Sequence, residues 1–130
     1  MTQTLEYCTM NRSVMLFVLL IAMIFAVGCA TDQPGVKNRL GAYETMVAAN
    51  PAAATSAAKK AMEQMKLINI ESTSTELDGK VTGQNAGGDE VVVAIAIAGD
   101  GVSRISVRVG WTGDSATSQA VLKRIRALLK

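Results

Sequence analysis

Residues 91–98, VVVAIAIA, restrict the fold more than any other stretch of the chain. Val91, Val93, Ile95 and Ile97 alternate with Val92, Ala94, Ala96 and Ala98, and a repeat of two is the repeat of an extended strand. Turn residues close the run at both ends, Ala86-Gly87-Gly88-Asp89 before it and Gly99-Asp100-Gly101 after it. With β-branched side chains on one face, small ones on the other and no charge on either, the segment reads as the central strand of a sheet.

Its neighbours extend the pattern. Leu77-Asp78-Gly79 is a third turn signal, and the strand-like segments that begin after Leu67-Ile68-Asn69-Ile70 follow one another closely enough for an antiparallel meander. In residues 102–110, VSRISVRVG, Ile105, Val107 and Val109 take one face while Arg104, Ser106 and Arg108 take the other, so one face of the sheet should be open to water. Residues 40–49, LGAYETMVAA, place Tyr43, Thr45 and Val47 at period two, which suggests a short opening strand; a helix start is the competing reading.

Two helices complete the domain. Asn50-Pro51 suits a helix start, since Asn can cap free amides and Pro at the first position lacks an N–H that would go unused. Ala54, Ala58, Ala61, Met62 and Met65 then form a narrow apolar stripe, with Lys59, Lys60, Glu63 and Lys66 facing outward. Small side chains in that stripe allow close approach to a sheet, and the methionines read as core fillers. The last helix begins at Asp114, a cap residue, and carries Val121, Leu122, Ile125, Leu128 and Leu129 on one side. Lys123, Arg124, Arg126 and Lys130 gather toward its end, where cations complement the helix dipole. The expected fold is α+β, a two-layer sandwich in which an antiparallel sheet of four or five strands carries two helices on one face, in the order β-α-β-β-β-β-α.

Ahead of the domain, residues 14–27 read VMLFVLLIAMIFAV, fourteen apolar residues after Arg12. That length fits a signal peptide and is short of the roughly twenty residues a spanning helix needs. Met10 opens a second candidate start, with Asn11 and Arg12 as its polar region. The run closes on Ala26-Val27-Gly28-Cys29, which resembles the lipobox of bacterial lipoproteins. The resemblance implies a leader over residues 1–28, a diacylglyceryl thioether on Cys29, and acylation of the amine freed by cleavage. Several acyl chains give a stable anchor where one is marginal. Ala30 after the cysteine resembles the default for delivery to the outer membrane, facing the periplasm. An uncleaved anchor and a secretory signal cut nearby are the other readings of the same run. Residues 29–39 read as a lipidated Cys29 on a tether, residues 30–39 being polar with Pro34-Gly35; these ten reach about 33 Å at most. The domain then covers residues 40–130.

From residue 41 to 129 the order of segments resembles a family of small bacterial lipoproteins defined only as a domain of unknown function. The clearest likeness is ISVRVGWTGDSATSQAVLKRIRALL, a strand ending in Val107-Arg108-Val109-Gly110, then Gly113-Asp114 and a helix with Ser118 and Ile125. The family implies a strand, a helix, a meander and a closing helix, and no mechanism.

Composition removes several functions. The chain has no histidine, which excludes Ser-His-Asp and Cys-His catalysis and His-ligated zinc. Thirteen Lys and Arg against eleven Asp and Glu leave a formal +2, without the concentrated basic charge that nucleic acid requires. Both cysteines, Cys8 and Cys29, precede the domain, so it is not a disulfide scaffold. An enzyme would depend on carboxylates and lysines as bases, yet Asp89, Asp100 and Asp114 sit at turns, and spacing gives no support to a Lys80–Ser106 pair. No catalytic residue, metal site or cofactor is expected.

Two features remain as candidate contacts. Arg104 and Arg108 form a stripe that could meet an anionic envelope polymer or an envelope protein. Arg108 also precedes Gly110, Trp111, Gly113 and Asp114, where the glycines permit a tight strand-to-helix turn and Arg108 could form a fork to Asp114 or to an anion. The expected function is therefore a membrane-anchored, non-catalytic interaction module. A binder of small ligands or lipid, with its pocket between the first helix and the sheet, is the alternative.

Overall fold

A computed structural model describes residues 35–130; the expected leader, Cys29 and the first part of the expected tether lie outside the described residues. The described chain forms β1 (Lys37–Arg39), β2 (Ala42–Val47), α1 (Pro51–Gln64), β3 (Ile68–Ser74), β4 (Asp78–Gln84), β5 (Glu90–Gly99), β6 (Val102–Val109) and α2 (Ser115–Leu128). The sheet order is β1-β2-β6-β5-β4-β3, and each neighbouring pair is antiparallel. The fold is α+β, six antiparallel strands with two helices packed on them.

The sheet has more strands than the four or five expected, and the order begins β-β-α. The extra strand is β1, which falls in the stretch read as tether. Leu40 and Gly41 both take positive φ, 50° and 79°, as a two-residue hairpin turn requires, and the chain folds back so that Arg39 pairs with Ala42 and Lys37 with Glu44. Lys37, Asn38 and Arg39 are all exposed, in keeping with a polar sequence that has nothing to pack. What holds β1 is its ladder, together with Asn38 Nδ2 donating to Tyr43 Oη at 3.2 Å.

The meander β3-β4-β5-β6 forms by short returns, and its last strand, β6, arrives beside β2, which precedes the first helix. Alternation sets the two faces. Val81, Val91, Val93, Ile105, Val107 and Val109 are fully buried toward the helices, each contributing roughly 1.5–3 kcal/mol by leaving water. Asn50 caps α1 by accepting from the Ala53 N–H at 2.8 Å, and Pro51 occupies its first turn. α1 lies over β3 and β4, α2 lies over β6 and β2, and the helices touch each other.

β4 presents Gly79, Val81 and Gly83 to α1, and the two glycines explain how closely the helix comes. A Cβ on Gly79 would stand 1.9 Å from Thr55 Oγ1, and one on Gly83 would stand 2.9 Å from Met62 Cε. Ala54, Ala58, Ala61 and Met62 are wholly buried against this surface. The buried hydroxyls have partners: Thr55 Oγ1 donates to Pro51 O at 2.7 Å, Ser103 Oγ to Ala49 O at 2.7 Å and Ser118 Oγ to Asp114 O at 2.6 Å.

Candidate functional site

The face of the sheet opposite the helices carries the arginines. Register sets its rows. Met46, Arg104, Ala96 and Asp78 lie across β2, β6, β5 and β4 in one row, while Glu44, Ser106, Ala94 and Lys80 form the next. Arg108 pairs with Val92 one row further on. The middle of this face is floored by small side chains, and both arginines are exposed. Lys80 and Ser106 share a row with Ala94 between them, two strands and so about 9.6 Å apart at the backbone.

Arg108 does not reach Asp114. Its Nη2 donates to Leu40 O at 2.9 Å, which ties the end of β6 to the β1–β2 turn. Asp114 is occupied at its own helix: it caps α2, accepting from Ala116 N at 3.2 Å and Thr117 N at 3.3 Å as well as from the Thr117 hydroxyl. The Thr117 hydroxyl bond, joined by the two backbone N–H bonds, holds its carboxyl below the ordinary aspartate value.

The connection from β6 to α2 is built on Gly110 and Gly113, with φ of 64° and 75°. Gly110 N donates to Glu90 O at 2.8 Å and Asp114 N to Val109 O at 2.9 Å. A Cβ on Gly113 would lie 2.1 Å from Gly41 O, so this turn and the β1–β2 turn touch backbone to backbone. Each turn carries a large apolar side chain with nothing over it: Trp111 is 95% exposed and Leu40 94%.

Two open recesses adjoin these turns. One, of about 620 Å³, is lined by Trp111, Arg108, Ala42 and Val92 together with Asp89 and Glu90. The other, of about 180 Å³, brings Lys37, Arg39 and Arg104 together around Glu44 and reaches Gly35, where the described chain begins. The period-two pattern is enough to put Arg104 and Arg108 on the open face. Lys37, Arg39 and Leu40 escaped the sequence reading because a polar stretch that packs nothing looks like a linker. Leu-Gly is a weak hairpin signal beside Asn-Gly.

Between α1 and the sheet, the place of the pocket in the alternative reading, Ala54, Ala58, Ala61 and Met62 are buried against β4. An outer groove of about 270 Å³ runs along α1 at Thr55, Ser56 and Lys59, against β3. Among the described residues no group of three His, Cys, Asp or Glu side chains is placed to hold a metal ion.

An antiparallel sheet with two helices on one face and a small-residue surface of mixed charge on the other defines a class of small α+β domain and leaves its activity open. The chain belongs to the family described as "Protein of unknown function (DUF3568)", whose model matches residues 13–127. No curated protein matches the chain.

Proposed function

We propose that the chain is a lipid-anchored envelope lipoprotein whose domain is a non-catalytic interaction module, working through the open face of its sheet. The observation that carries this reading is the position of Ala26-Val27-Gly28-Cys29, at the end of an apolar run and directly ahead of a domain with its own core. The family match takes in both parts, beginning at residue 13. Small residues before the cysteine suit a narrow peptidase subsite, and outer-membrane delivery follows from Ala30. The exposed Arg104 and Arg108 supply donors for an acidic partner in the envelope.

The anchor is tested by Cys29→Ser. Wild-type protein should incorporate labelled palmitate and lose its leader. The variant should take no label and run about 3 kDa heavier, the mass of 28 retained residues at the chain's mean residue mass. A mature protein with Cys29 unmodified, or removed with the leader, overturns the reading.

A further inference from the structure

We propose that the paired turns bearing Leu40 and Trp111, with the cations Lys37 and Arg39 of the same hairpin as Leu40, form a tip that docks the domain on an anionic phospholipid surface. The proposal rests on the membrane-anchored reading above and adds where the domain meets the bilayer.

Exposure is the first argument. Leu40 and Trp111 are the two most exposed large apolar side chains among the described residues, and they sit on turns that touch. One exposed leucine needs no explanation; a leucine and a tryptophan on two turns packed backbone to backbone do. The two turns are covalently distant and tightly built. Gly41 and Gly113 meet at their backbones, and the Arg108 guanidinium binds Leu40 O at 2.9 Å. Tryptophan is the side chain enriched at the headgroup level, where its ring is half apolar and its N–H meets water.

Charge is the second. Across the two recesses at these turns four cations, Lys37, Arg39, Arg104 and Arg108, outnumber three carboxylates, Glu44, Asp89 and Glu90, and the surplus lies on the side of the hairpin that carries Leu40. That surplus complements lipid phosphates, and attraction of basic residues to an anionic leaflet acts within a Debye length of the membrane. The third argument is where the chain comes in. Gly35 lines this same recess, and the apolar run ends at Val27. The seven residues after Gly28 span at most about 25 Å. Whatever path they take, the cationic recess is the part of the domain with the shortest leash to the anchor. Tethering raises the local concentration of lipid surface so far that a weak tip suffices.

The sequence supplies its own reporter, because Trp111 is the single tryptophan of the chain. Full-length acylated protein would be reconstituted into vesicles of phosphatidylcholine alone and of phosphatidylcholine mixed with phosphatidylglycerol. In the mixed vesicles Trp111 emission should shift to the blue and be quenched by lipid brominated on its acyl chains. Leu40→Ser should reduce the shift, and Lys37→Gln with Arg39→Gln should abolish its dependence on the anionic lipid. Thermal melts of the variants should match wild type, since these side chains are exposed. Protein that floats with the vesicles while Trp111 stays at its water-exposed emission and open to iodide overturns the docking and leaves the anchor standing. Protein that does not float overturns both. A blue shift that grows with protein concentration at fixed lipid places a second copy or another protein on the tip, and overturns docking on lipid.

Discussion

Thr55 and Gly79 meet at the tightest contact between helix and sheet, and each residue explains the other. The Thr55 hydroxyl is fixed by its bond to Pro51 O at 2.7 Å, so it cannot turn away from a side chain placed opposite. A methyl group at residue 79 would stand 1.9 Å from that oxygen. Gly79→Ala must therefore break the hydroxyl bond or lift α1 from β4. The expected loss is about 1–3 kcal/mol, the usual effect of overpacking, read as a lower urea midpoint with an unchanged slope. Thr55→Ala in the same chain should recover part of it and not all, because the Thr55 Cβ would still lie 3.2 Å from the new methyl. Additive losses in the double variant would show that the two residues do not share this contact.

At the scale of elements, what could be read in advance was whatever depends on local pattern. Period-two alternation identifies β5 and β6 and puts Arg104 and Arg108 on the open face, and Asn50-Pro51 marks the start of α1. The end of α1 is different. Met65 belongs to the apolar stripe but is the helix C-cap and only half-buried, and Lys66 after it takes the left-handed conformation at φ 61°. Lys66 N donates to Glu63 O and Leu67 N to Met62 O, the two bonds of a Schellman ending, with lysine where glycine is usual. No glycine marks the stop, so the sequence does not show it. β1 was hidden for a like reason, its turn being Leu-Gly. The tip could not be read at all, since the exposure of Trp111 beside Leu40 depends on two turns far apart in the chain coming into contact. Lys66→Gly relieves the left-handed strain of a residue with a Cβ and should stabilise the domain by about 1 kcal/mol, measured as a higher melting temperature. An unchanged or lower value would mean that the lysine stem packs well enough to offset its backbone.

For the whole molecule, the sheet order decides how stability is distributed. β5 and β6 each have a partner on both sides and carry the fully buried Val91, Val93, Ile105, Val107 and Val109. β1 has three exposed residues, and β3 is exposed along most of its length with a register shift between Ile68 and Glu71. The edges could fray without disturbing the middle. The two halves of the domain are nevertheless bound together, because β2 closes on β6 across α1 and the meander, and because α1 and α2 pack on one another over the sheet. Hydrogen exchange should therefore show one global unit. Bonded amides of β5 and β6 should exchange slowest, at the rate set by complete unfolding, and amides of α1, α2, β2 and β4 should converge on the same free energy in low denaturant. Amides of β1 and the outward amides of β3 should exchange fastest, by local opening. Two separate plateaus, one for α1 with β3 and β4 and another for α2 with β2 and β6, would mean that the helix contact and the β2–β6 pairing do not couple the halves.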